Sequence, residues 1–220
     1  MNSRIITGCK YIVITSCSYL WLGVENIIRQ QGGQPVRMTA DAVSRYEGID
    51  FRVQDEHPIQ LSVFLTGDLC NRLAICKKLV VQLNCLPKNC DVTVFSHLPA
   101  VWLYVMLRAL VHNAGALKKI RYCHQRPTPG SLISAHFPHL EDIISVEELA
   151  GVPSGAGLSS TELDAVLNYY QGRTVSSLSR RSGVAEKTIY AHRKSGLKKL
   201  ACMQEWLNDT TLTRKMCRSR

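Results

Sequence analysis

The chain has 220 residues, 45% of them hydrophobic, which is sufficient for two small domains with buried cores. Its 27 lysines and arginines outnumber its 17 acidic residues, and a net charge of +10 is typical of proteins that bind polyanions. The nine cysteines include no CxxC pair, which argues against a zinc site, and we expect no metal and no cofactor. Their odd number, in a chain without an obvious export signal, predicts a reducing, cytoplasmic location.

Short apolar runs alternate with helical patterns through the first half of the chain. We predict strands at 11–15, 34–38, 60–65, 91–95 and 119–123, with helices at 19–31, 69–86 and 99–113 and a weaker helix at 41–46. Such alternation builds a parallel sheet covered on both faces, so the expected fold of this half is α/β, flavodoxin-like and doubly wound. The apolar segment 11–24 resembles a signal peptide, but a buried strand running into a helix accounts for it better, and we expect no membrane partner.

The composition changes after residue 137. Residues 138–157 combine four acidic residues with a run of glycine and proline, which predicts a linker with one short helix at 143–149. The predicted order is an N-terminal domain at 1–137, this linker, an all-α domain at 158–208 and a basic tail at 209–220. From residue 158 onward, 12 lysines and arginines stand against 5 acidic residues, so the positive charge is concentrated in the C-terminal part.

Residues 158–201 divide into three helical segments separated by turn residues. Glu162 falls in the first turn of the first segment, where a carboxylate suits the positive end of a helix. The residues expected at caps and turns are Ser159 or Ser160, Gly172, Thr174, Ser182 and Gly183. A further short helix is expected at 203–207, which makes this an all-α domain of four helices.

The third segment, 186–200, has two contrasting faces. Its narrow inner stripe consists of Ile189, Gly196, Leu197 and Leu200, and the small Gly196 predicts a close helix crossing. Its outer face carries Lys187, Tyr190, Ala191, Lys194 and Lys198 at spacings of three and four. A helix of this kind suits the major groove of DNA, where lysines neutralise phosphates and other side chains reach base edges. The alternative for an isolated helix is an ordinary solvated basic face.

The three segments together resemble, without a gap, the helix-turn-helix of the LuxR/FixJ family. The matching positions are Leu158, Glu162, Gly172, Leu178, Gly183, Val184, Thr188, Ile189, His192, Lys199 and Leu200. The sequence departs from the family at Tyr190, where Lys is common, at Ser182, where Leu is common, and at Gly196, where Ile is common. The resemblance implies a DNA-binding transcription regulator that is not an enzyme.

By this resemblance the third helix enters the major groove of double-stranded DNA. The positions implied to face bases are Tyr190, Ala191 and Lys194. Those implied to contact phosphates are Lys187, Thr188, Arg193 and Lys198, with Arg180 and Arg181 as outer backbone contacts and His192 in a structural or phosphate-contacting role. The implied protein partner is a second copy of the chain or a related LuxR-type regulator, in a homodimer or a heterodimer.

The order of the two halves is similar to that of the FixJ and NarL response regulators. The positions of the receiver phosphorylation site fall at Thr15 and Ser16 for the acidic pair, Leu65 or Thr66 for the phospho-acceptor, Ser96 for the switch hydroxyl and Gln125 for the lysine. Hydroxyls alone cannot hold Mg²⁺, and the nearest acid is Asp68. We therefore expect a degenerate receiver (a pseudo-receiver) that is not phosphorylated, as in the auxiliary regulators of the RcsA type.

Two alternatives to this interpretation are a phosphorylated two-component response regulator and a protein-interaction module whose helix-turn-helix does not read DNA alone. The sequence has no Walker loop, no GxSxG and no GxGxxG, so it offers no catalytic residues.

Overall fold

The computed structural model describes residues 10–30, 32–39, 58–84, 90–96, 98, 100–112, 114–123, 143–145 and 157–208, with the side chains of 114, 143–145 and 204–208 excepted. The chain divides into two compact units. One comprises Met1–Ala100 and Val111–Gly151, and the other comprises Val101–Leu110 and Val152–Arg220.

The described part of the first unit is built around a single sheet. Its strands are β1 (Lys10–Ile14), β2 (Gln34–Met38), β3 (Ile59–Leu65), β4 (Cys90–Ser96), β5 (Ile120–Cys123) and β6 (Ile143–Ser145). The helices between them in the chain are α1 (Ser18–Gln30), α2 (Leu69–Asn84), α3 (Ala100–Leu110) and α4 (Ala114–Leu117), and α3 belongs to the second unit except for its first residue. The strand order is β2-β1-β3-β4-β5-β6, with the first five parallel and β6 antiparallel to β5. Five parallel strands in this order fit a flavodoxin-like domain and confirm the five predicted strands.

The central strands are mostly apolar because both of their faces are buried. In β1 the side chains of Ile12, Val13 and Ile14 are fully buried, and no polar residue alternates with them. Phe64 of β3 and Phe95 of β4 are register partners, and their rings stack with centroids 4.7 Å apart. The same cluster contains Val24 and Ile28, through which α1 packs on the sheet.

One prediction for this part of the chain was wrong. Residues 143–145 were expected to begin a helix inside the linker, but they form β6, which pairs with the outer edge of β5. The segment Ile-Ile-Ser is too short to show a period, and the free edge of β5 decides its conformation. The helix predicted at 99–113 is α3, which ends at Leu110, and the short α4 that follows it was not predicted. The weak helix predicted at 41–46 lies outside the described residues.

The described residues from 157 onward form three helices, α5 (Ser160–Tyr170), α6 (Val175–Ser182) and α7 (Glu186–Asn208). The prediction of a separate helix at 203–207 is wrong, because α7 continues without a break through that segment. No glycine or proline follows Gly196 before Asn208, so nothing in the sequence ends the helix earlier.

No helix in the described ranges combines the length and the apolar composition that crossing a bilayer requires.

Candidate nucleic-acid interface

The start of α5 is fixed by a reciprocal cap. Ser159 Oγ accepts a hydrogen bond from the backbone N–H of Glu162 at 3.3 Å, and Glu162 Oε2 accepts one from the backbone N–H of Ser159 at 2.8 Å. This is the capping box, and it selects Ser159 over Ser160 as the N-cap. At the other end Gly172, with φ of 71°, follows the last turn, as predicted.

Glu162 also joins α5 to α7. Its Oε1 accepts a hydrogen bond from Ser195 Oγ at 2.6 Å, and its Oε2 accepts one from Lys199 Nζ at 2.8 Å. Burial by itself would raise the pKa of Glu162, but the hydrogen bonds from Lys199, Ser195 and Ser159 outweigh it and lower the pKa to about 2. Glu162 is therefore ionised at neutral pH, and its contacts hold one side of α7 against α5.

Gly196 lies where α7 crosses α5. A Cβ at this position would lie 2.7 Å from Val166 Cγ2 and 3.2 Å from the carbonyl oxygen of Glu162. These distances confirm the predicted close crossing, and they explain why the isoleucine common in the LuxR/FixJ family does not fit here.

A short turn of three residues, 183–185, connects α6 to α7. Thr174 caps α6 by accepting a hydrogen bond from the N–H of Ser177, and Gly183 ends it in the left-handed conformation with φ of 70°. The backbone N–H of Gly183 donates to the carbonyl of Ser179 at 2.9 Å. Buried contacts then pack α7 on α6 through Val175, Leu178 and Ile189.

This packing separates the two faces of α7. The residues Ile189, Gly196 and Leu200 are buried, and Leu197 is half-buried. The opposite side, which we call the cationic face, consists of five exposed residues: Lys187, Tyr190, Ala191, Lys194 and Lys198. The exposed Thr188 adjoins it at the start of the helix, and Arg180 and Arg181 are exposed on α6.

Two of the predicted contact residues, His192 and Arg193, are half-buried. The Cζ atom of Arg193 lies 4.5 Å from the ring centroid of Tyr190 and 5.0 Å from that of Tyr169. Tyr169 belongs to the last turn of α5 and was not among the predicted site residues. The spacing of three between Tyr190 and Arg193 is a sequence signal for their contact, whereas no local pattern relates Tyr169 to either residue.

At the carboxyl ends of the central strands of the first unit, the structure places hydroxyl groups. Thr15 Oγ1 accepts a hydrogen bond from the N–H of Cys17 at 3.1 Å, and Ser96 Oγ accepts one from the N–H of Leu98 at 2.9 Å. Asp68 Oδ1 accepts one from the N–H of Asn71 at 2.8 Å, at the start of α2. Within the described ranges, no three His, Cys, Asp or Glu residues lie together as a metal-binding group. Gln125 is outside these ranges.

No family model and no curated protein matches the sequence. Among solved structures, the chain is similar to that of two RcsB dimers bound to two parallel DNAs, with 16% identity, a TM-score of 0.48 and coverage of 91% of this chain and 99% of that one. It is also similar to RcsB from Salmonella enterica serovar Typhimurium bound to promoter rprA in the presence of phosphomimetic BeF3-, with 16% identity, a TM-score of 0.47 and coverage of 91% and 98%.

Proposed function

We propose that this protein is a sequence-specific DNA-binding transcription regulator and that α7 is the helix that enters the major groove. The observation that carries the proposal is the cationic face of α7, five exposed residues opposite a buried stripe. A groove-reading helix needs this division, because its inner side must pack on the domain while its outer side meets phosphates and base edges.

The individual roles are those implied by the resemblance to the LuxR/FixJ helix-turn-helix. Tyr190, Ala191 and Lys194 lie along the middle of the cationic face and are proposed to reach base edges. The residues proposed to contact phosphates are Lys187, Thr188 and Lys198 of α7 and Arg180 and Arg181 of α6. The half-buried His192 is proposed to have a structural or phosphate-contacting role. A lysine neutralises a phosphate as a point charge, so such contacts supply affinity and orientation but no sequence information.

We further propose that the first unit is a pseudo-receiver. Thr15 and Ser96 use their hydroxyls to accept hydrogen bonds from the chain itself, and Asp68 does the same at the start of α2. A hydroxyl is a poor substitute for the carboxylates that hold Mg²⁺ in phosphoryl transfer. Regulation would then depend on dimerisation, either with a second copy or with a related LuxR-type regulator, in the cytoplasm.

The experiment that tests the proposal is selection of randomised duplex DNA by the purified full-length protein at moderate salt. An enriched motif with two-fold symmetry is expected for a homodimer, and half-sites without symmetry are expected for a protein that needs a different partner. The matched control is Lys118→Ala, which removes an exposed lysine of the first unit and should select the same motif. Absence of enrichment, together with binding that does not weaken as salt rises, would favour the protein-interaction module.

A further inference from the structure

Arg193 differs from the lysines of the cationic face in what its charge contacts. Its guanidinium lies over the ring of Tyr190 on α7 and over the ring of Tyr169 on α5, with both centroids within cation–π range. We call these three residues the Tyr–Arg–Tyr stack. Arg193 is half-buried in this arrangement, whereas Lys187 and Lys194 are exposed.

The stack restrains the ring of Tyr190. An exposed tyrosine on a helix can occupy more than one side-chain rotamer, but contact with a planar guanidinium favours the rotamer in which the two groups stack. Because Arg193 also lies against Tyr169 on another helix, its own position does not depend on α7 alone. A ring that is already positioned loses less side-chain entropy when it enters an interface.

The surroundings of Tyr190 indicate what its ring can recognise. Tyr190 is 49% exposed, and the neighbouring exposed residue Ala191 is also apolar. Lys187 and Lys194 lie before and after them on the same exposed face. In the major groove the apolar feature of a base pair is the C5-methyl group of thymine, and apolar side chains contact it.

We propose that Arg193 and Tyr169 are positioning residues, and that they hold the ring of Tyr190 for apolar contact with the methyl group of a thymine. This inference rests on the proposed DNA binding, and it replaces the phosphate contact expected for Arg193 from the sequence. Tyr169 acts only through Arg193 and Tyr190.

The first test measures specific and non-specific binding of full-length variants to the selected motif and to unrelated duplex DNA. Tyr169→Leu and Arg193→Lys are expected to weaken specific binding about tenfold and to leave non-specific binding and its salt dependence unchanged. Arg193→Lys keeps the charge and removes the planar group, so a phosphate contact would survive it. Tyr169→Phe keeps the ring and should retain the wild-type ratio of specific to non-specific binding. Tyr19→Leu is the control, since Tyr19 is an exposed tyrosine of α1 and does not belong to the stack.

The second test replaces each thymine of the motif with uracil, which removes only the methyl group. Wild-type protein is expected to lose about fourfold in affinity at one position of each half-site, the effect of burying about one methyl group. Tyr190→Ala should show no such loss at that position, and Tyr169→Leu should show a smaller one.

The two levels of the proposal fail differently. If wild-type protein prefers a motif but Tyr169→Leu discriminates as well as wild type, or if no uracil position distinguishes Tyr190→Ala from wild type, the role of the stack is overturned while DNA reading stands. If wild-type protein prefers no DNA sequence, the proposed function itself fails.

Discussion

Lys199 Nζ lies 2.8 Å from Glu162 Oε2, and this ion pair joins the second half of α7 to the first turn of α5. The side chain of Glu162 is 8% exposed and that of Lys199 is 32% exposed, so water screens the pair only in part. Because Ser195 donates to the same carboxylate one turn earlier on α7, the two contacts oppose both sliding and rotation of α7 against α5. The direction of the cationic face therefore depends on a buried acid.

We expect Glu162→Gln to lower the free energy of unfolding by about 2 kcal/mol at neutral pH, because it removes the charge that Lys199 and Ser195 face in a largely buried position. Urea denaturation at pH 7 measures this change. Glu186→Gln is the control, since Glu186 is an exposed acid in the first turn of α7 and its loss should cost less than about 1 kcal/mol. Equal effects of the two substitutions would contradict the importance of burial.

The same carboxylate predicts a pH dependence. The pKa of Glu162 is lowered from 4.5 to about 2 in the folded protein, so its contribution is fully present above pH 4.5 and is lost as pH falls from there towards 2. The free energies of unfolding of wild type and Glu162→Gln, measured between pH 2 and 7, should converge at the acid end. A difference in stability that is the same at every pH would show that the ionised carboxylate is not its source.

Gly196→Ala is expected to destabilise the protein by about 1 kcal/mol, although alanine is the better helix former. Its Cβ would lie 2.7 Å from Val166 Cγ2, so the two helices or the valine must move. Thermal unfolding measures the effect, and the cost should shrink in a Val166→Ala background. Gly23→Ala in α1 is the matched control, because a Cβ there meets no atom within 4 Å and should be stabilising.

On the cationic face, Lys194→Ala and Lys198→Ala should have different consequences. Loss of a base contact at Lys194 is expected to weaken specific binding by about 1–3 kcal/mol and to relax the preference at one base pair. Loss of a phosphate contact at Lys198 is expected to weaken binding to all sequences alike and to lower the salt slope by about one. Titration of specific and unrelated duplexes at three salt concentrations separates the two. Proportional losses for both variants would contradict the assigned roles.

Local patterns predict much of the described fold. The runs that form β1, β3 and β4 are mostly apolar and contain several β-branched residues, and short runs of this kind typically form buried strands. The strand β6 could not be predicted in the same way, because three residues show no period. These residues form a strand because they pair with the free edge of β5. The continuation of α7 past Ala201 was missed, although no glycine or proline ends the helix there.

The sequence by itself determined the division of α7 into a buried stripe and a cationic face, since the spacing of Ile189, Leu200 and the lysines follows the period of a helix. The tertiary structure alone decided which residues of α5 meet that helix. Glu162 with Lys199, and Tyr169 with Arg193, are pairs brought together by the close crossing at Gly196. The distance and angle of a helix crossing depend on side chains from both helices at once, so no pattern within one helix contains them.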